Sequence, residues 1–85
     1  MKMPKLSELK RFFVEKFEGN ILREYYPEGA LKSEAEVKEG KRHGRYREYY
    51  ENGTLKLRGK YSENNPKGTW KYYTEEGKFE RKEKY

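Results

Sequence analysis

The chain repeats itself every 24 residues. Leu22-Arg23-Glu24-Tyr25-Tyr26-Pro27-Glu28-Gly29-Ala30-Leu31-Lys32 returns as Tyr46-Arg47-Glu48-Tyr49-Tyr50-Glu51-Asn52-Gly53-Thr54-Leu55-Lys56, and again as Trp70-Lys71-Tyr72-Tyr73-Thr74-Glu75-Glu76-Gly77-Lys78-Phe79-Glu80, without an insertion. A fixed period of this length specifies a stack of small supersecondary units, each covered by its neighbours, and argues against a single enzyme-like domain.

The kind of unit follows from the segments between the turns. Leu55, Leu57, Gly59 and Tyr61 alternate with Thr54, Lys56, Arg58 and Lys60, and Leu31, Ser33, Ala35 and Val37 repeat the pattern one unit earlier. A period of two with aromatic and aliphatic residues on one side specifies strands. Pro27-Glu28-Gly29, Glu51-Asn52-Gly53 and Glu75-Glu76-Gly77 place Gly third, as a type I turn closed by a left-handed G1 bulge requires. Longer polar loops are expected over 39–44 and 62–68, the second containing Asn64-Asn65-Pro66. Ala35 and Gly59 occupy the same repeat position, where a ring from a neighbouring hairpin is expected to cross the backbone. Tyr46 and Tyr49, like Trp70 and Tyr73, stand three apart, so either a bulge re-aims one ring or both faces carry aromatics.

The expected fold is therefore all-β: a single-layer antiparallel meander of stacked β-hairpins. Units are expected at 21–44, 45–68 and 69–85, behind a cap or partial repeat at 1–20. Three readings of that cap stand, one of them a single helical turn over Pro4 to Lys10 followed by a strand. Phe12 to Phe17 is a strand pairing with Ile21 to Tyr26, or Leu6, Leu9, Phe13 and Phe17 form the stripe of a short amphipathic helix. Lys78 to Lys84 suits a solvated edge strand that charge protects from pairing with other chains.

Composition fits a thin sheet. Apolar residues make up 32% and charged residues 42% of the 85, too few apolar groups for a thick two-layer core. Nine Tyr, four Phe and one Trp argue against disorder, because Tyr buries a ring while its hydroxyl stays wet. The absence of Cys removes disulfides and thiolate metal sites and favours a reducing, cytoplasmic setting. No apolar run reaches the length of a membrane span.

The motif Tyr-Tyr-x-x-Gly-x-Leu, here Tyr49 to Leu55, followed by Gly59-Lys60-Tyr61, resembles the bacterial variant of the MORN repeat (membrane occupation and recognition nexus). Lys41-Arg42-His43-Gly44 and Gly68-Thr69-Trp70-Lys71-Tyr72-Tyr73 are similar to its inter-repeat segment. The resemblance implies stacked hairpins in an elongated curved sheet. It implies scaffolding between proteins, contact with phospholipid in some members, and antitoxin-type roles in some bacterial ones. Ala35 departs from the pattern's Gly, Leu22 from its Trp, and Asn64-Asn65-Pro66 from its Asn-Gly-Lys turn.

Catalytic chemistry finds little support. His43 is the only His, stands in a basic segment, and has no nucleophile pattern beside it. One His and no Cys cannot build a structural zinc site. Glu34 and Glu36 share a strand face, where cross-strand ion pairs are the expectation and a paired acid–base site the alternative. The Gly-Lys at Gly40-Lys41 lacks the rest of a phosphate loop. The expectation is a non-enzyme that needs no cofactor and no metal.

Binding is the remaining function. A net charge of +6 can attract anionic partners, but the favoured reading of the charge is that 21 basic and 15 acidic residues are interleaved to keep a thin sheet soluble. Arg45, Arg47, Arg58, Lys60 and Lys71, with Lys56, are candidates for one sheet face, and Tyr49 and Tyr73 are interleaved among them. Such a face suits an acidic protein surface, where Tyr and Arg are frequent hot spots. It also suits nucleic acid, a nucleotide or anionic lipid headgroups. Against both stands a purely structural reading, in which the Tyr rings join the repeats and the cations flank them. A protein partner is favoured because Glu24, Glu48, Glu51 and Glu63 interrupt the positive track. Self-association through the edge strands is a third possibility.

Overall fold

The computed structural model describes residues 16–85. They form one seven-stranded antiparallel sheet, in which every strand pairs only with its neighbours in sequence. The strands are β1 (Lys16–Glu18), β2 (Ile21–Tyr25), β3 (Leu31–Lys38), β4 (Lys41–Tyr49), β5 (Leu55–Ser62), β6 (Asn65–Tyr73) and β7 (Phe79–Lys84). This is the expected all-β meander. The backbone of 16–18 pairs with 21–23, as the strand reading of the cap requires over those residues. The helical alternative over Leu6 to Phe13 lies outside the described residues.

The turns fall into two kinds. After β2, β4 and β6 the chain makes three similar turns. Gly29, Gly53 and Gly77 take φ of 107°, 92° and 90° and donate to the carbonyls of Tyr26, Tyr50 and Thr74 at 2.9 Å each. These are the expected Gly-closed turns, in a backbone region that glycine enters without penalty. Of the other three connections, the β1–β2 turn is the short one at Gly19–Asn20, and two differ from expectation. They are not long loops but two-residue turns, Glu39–Gly40 and Glu63–Asn64, with φ of 51° and 78° and of 50° and 73°. Positive φ at both central residues matches the right-handed twist of the flanking strands. Lys41 to Gly44 and Asn65 to Gly68 therefore belong to strands.

Two wide bulges recur within one residue of the same repeat position. His43, Gly44 and Arg45 of β4 stand opposite Glu36 alone, and Gly68, Thr69 and Trp70 of β6 stand opposite Gly59. Such excess residues bend the strand and sharpen the local twist.

The pleat sends aromatics to both faces. On one face Tyr46, Tyr61, Trp70 and Tyr85 form a chain of ring contacts, with centroids 5.1–6.0 Å apart. The Arg42 guanidinium lies 5.7 and 5.5 Å from the Tyr46 and Tyr61 ring centres, adding cation–π attraction. On the other face Tyr49 reaches Glu34 through its hydroxyl.

Ala35, Trp70 and Ser33 are the buried residues among those described. The Trp70 indole lies across Gly59, and a Cβ there would fall inside its ring atoms. Ala35 pairs with Tyr46 at the matching place. The expectation of a ring over the small residue thus holds at Gly59. Tyr26 and Tyr50 tie successive units by donating to the carbonyls of Tyr49 and Tyr73, at 2.7 and 2.8 Å. Strand β7 is exposed along its length, as its charge pattern anticipates.

Candidate functional site

The face opposite the ring chain is a charge face. Arg23, Glu34 and Arg47 are successive cross-strand partners, as are Arg47, Arg58, Lys71 and Lys82 further along the same row. The next row passes through Glu36, Arg45 and Lys60.

At the start of this face the charges are matched. Glu34 accepts from Arg23 Nε at 3.0 Å, from an Arg47 terminal nitrogen at 3.1 Å and from the Tyr49 hydroxyl at 3.2 Å. Burial pushes the Glu34 carboxyl up, but the Arg23 and Tyr49 hydrogen bonds and the two guanidinium charges outweigh it, so the group sits below its ordinary value of 4.5. Glu36 folds into the β4 bulge. Its Oε1 accepts from the Arg45 backbone N–H at 2.7 Å, and its Oε2 lies 3.4 Å from the Arg45 guanidinium. A Cβ on Gly44 would collide with this carboxylate. Both acids are thus in the cross-strand pairs expected for them, in the wall of a hollow of about 210 Å³.

This network carries a pH prediction. Glu34 is held below its unfolded value, so its contribution is complete above about pH 4.5 and is lost as pH falls through the folded value. Glu34→Gln should cost about 1 kcal/mol at neutral pH, a figure discounted for partial exposure. It should also flatten the acid limb of stability, read as the urea midpoint against pH.

Further along the face the acids stop. A groove of about 420 Å³ is lined by Arg45, Tyr46, Arg47, Arg58, Gly59, Lys60, Lys67, Gly68, Thr69 and Lys71, six cations and no carboxylate. Arg45 and Arg47 are shared with the Glu34–Glu36 network. Arg58, Lys60, Lys67 and Lys71 have no carboxylate partner among the described residues. Arg58 donates only to the Tyr73 hydroxyl, at 3.2 Å.

The structure therefore gathers Arg45, Arg47, Arg58, Lys60 and Lys71 around one groove. Tyr49 and Tyr73 are tied to the charge face through Glu34 and Arg58 but do not line the groove. Lys56 lies apart, 3.8 Å from Glu48 and over the Tyr50 ring. Lys67 is the cation that reading 62–68 as a loop concealed. Its signal is parity: once β6 starts at Asn65, Lys67 alternates with Thr69 and Lys71 on one face.

His43 is exposed in β4, its Nδ1 accepting from the Glu63 N–H at 3.3 Å. It stands in a strand and not in the loop expected for it. No group of three or more potential metal ligands forms among the described residues. No helix of the described residues is long and apolar enough to cross a membrane.

A hairpin meander repeated every 24 residues, with one ring face and one charge face, defines a β-hairpin repeat module. The family model described as the MORN repeat variant matches residues 19–39 and 42–63, half of the chain, and the chain belongs to that family. MORN repeats in general are non-enzymatic modules for interaction with proteins or membrane lipid. No curated protein matches the chain, and no solved structure matches it.

Proposed function

We propose that this chain is a non-catalytic protein–protein interaction module that presents its charge face to a partner. The observation that carries this reading is the division of labour between faces. The rings and the Tyr26 and Tyr50 hydroxyls join the units, while Arg58, Lys60, Lys67 and Lys71 contribute no ion pair to the sheet. Cations that do not serve the fold remain free to serve a partner. A scaffold, or an inhibitor that masks its target in the manner of an antitoxin, is the finer form of this proposal.

A second reading has support from the same groove: an anionic ligand such as nucleic acid, a nucleotide or a phospholipid headgroup. Its six cations would give such binding a steep dependence on salt. The two readings separate in one experiment. Tagged chain is used to capture partners from native lysate at moderate salt, with and without nuclease. A stoichiometric protein that survives nuclease is expected. Recovery of nucleic acid or lipid alone would overturn the protein reading.

A further inference from the structure

The chain contains its own reference for what fills the charge face. The sequence 24 residues after Glu34 and Glu36 places Arg58 and Lys60 at the same repeat positions. Among the ring-face neighbours, Leu31, Ala35 and Val37 become Leu55, Gly59 and Tyr61, and the buried Ser33 becomes Leu57. Between β3 and β5 the sign of charge reverses only at Glu34 and Glu36.

The consequence is visible at the two bulges. In the first, the Glu36 carboxylate lies over Gly44 and accepts from the Arg45 N–H. In the second, Lys60 stands in place of Glu36 and Thr69 in place of Arg45. Among the described residues no side chain accepts from the Thr69 amide, and none comes within 4 Å of where a Gly68 Cβ would point. The first unit thus contains three cations and two carboxylates around a hollow of about 210 Å³. The second contains six cations and no carboxylate around a hollow of about 420 Å³. The second bulge stands opposite Gly59, one residue before Lys60, which itself pairs with Lys67. The second hollow therefore lies beside a bulge as the first does, but it holds no acid and has about twice the volume.

We infer that this groove binds an acidic segment of a protein partner in extended conformation, with carboxylates at alternate residues. Those carboxylates take the places that Glu34 and Glu36 take in the first unit: one between Arg47, Arg58 and Lys71, the other over Gly68 among Lys60, Lys67 and Arg45. The spacing follows from the template, since Glu34 and Glu36 are two residues apart on a strand and project from the same face. Carboxylate chemistry follows from it too, because the guanidinium fork of Arg47 already receives one from Glu34. This inference rests on the protein-module reading and names the partner's chemistry.

The test uses the full chain and labelled peptides, read by fluorescence anisotropy at low salt. A peptide alternating Glu and Ser should bind. A Gln–Ser peptide should not, and a peptide of equal charge with its Glu residues consecutive should bind several-fold more weakly. Arg58→Glu with Lys60→Glu writes the first unit's acids into the second. It should lower affinity about tenfold or more, since attraction becomes repulsion, and should leave the melting temperature level or raised. Arg58→Gln with Lys60→Gln should give an intermediate loss and decides the matter if the Glu pair fails to fold. Unchanged affinity in a folded variant would overturn the site. So would indifference to Glu spacing, or exclusive binding of a single-stranded oligonucleotide or of phosphatidylserine vesicles. A native protein captured equally by wild type and the Glu pair would remove this surface while keeping the module reading. Peptide binding with no protein captured would do the reverse.

Discussion

Trp70→Ala should lower stability by about 3–5 kcal/mol, the cost of deleting a large buried aromatic side chain. Trp70 is one of only two buried hydrophobic residues among those described, and it is the hub of the ring chain. Its centroid lies 5.8 Å from Tyr46, 5.1 Å from Tyr61 and 6.0 Å from Tyr85. It also covers the backbone at Gly59. A single-layer sheet has no second wall to collapse into the gap. A chain of this size has a total stability of about 4–12 kcal/mol. The variant should therefore melt far below the parent, or be largely unfolded at room temperature, by thermal circular dichroism. A loss below 1 kcal/mol would mean that the indole does not hold the two units together.

Gly59→Ala tests the same contact from the other side. Its Cβ would fall within the Trp70 indole, so the ring must leave its place or the strands must part. Overpacking of this kind costs about 2–3 kcal/mol, which in a small domain lowers the melting temperature by roughly 10–20 °C. The backbone at Gly59 is not the obstacle, because its φ is not in the left-handed range. The first unit shows the remedy: there a methyl group, Ala35, is paired with a smaller ring, Tyr46. Combining Gly59→Ala with Trp70→Tyr should therefore cost less than the sum of the single changes. Additive losses in that cycle would show that the two residues are not coupled.

The ring-over-glycine contact was legible in the sequence because shape alone encodes it. A position that alternates between Ala35 and Gly59, inside a strand otherwise lined by Leu and Tyr, reports that something large lies above. The three Gly-closed turns were legible for a similar reason, since few residues other than Gly take that backbone conformation. Both placements of aromatics were also open to reading, and the structure settles them: Tyr46 and Tyr49 face opposite sides.

The turns at Glu39–Gly40 and Glu63–Asn64 were not legible. Glu39 and Glu63 both take positive φ, which Glu seldom does, and neither site has the Asn-Gly pair that marks a two-residue hairpin. Lys41-Arg42-His43 and Asn65-Pro66-Lys67 carry polar and turn-forming residues that suggest a loop, yet pairing with the previous strand holds them extended. Tertiary pairing overrode local preference there. That error shifted the start of β6 and hid Lys67 from the candidate surface. The charge reversal between Glu34, Glu36 and Arg58, Lys60 lay in plain view in the sequence. Its meaning required the structure, which puts Glu34 and Glu36 in the wall of one hollow and Arg58 and Lys60 in the wall of the next.

The pleat gives this chain two independent ledgers. From Ser33 to Val37 and from Leu57 to Tyr61 the odd-numbered residues record how one unit grips the next, and Glu34, Glu36, Arg58 and Lys60 between them record what the surface presents. A change in the second record leaves the first intact. Each added unit is then a fresh page on which a different partner can be specified without renegotiating the fold. Glu34 and Glu36 against Arg58 and Lys60 are two such pages, already written in opposite sign within one molecule.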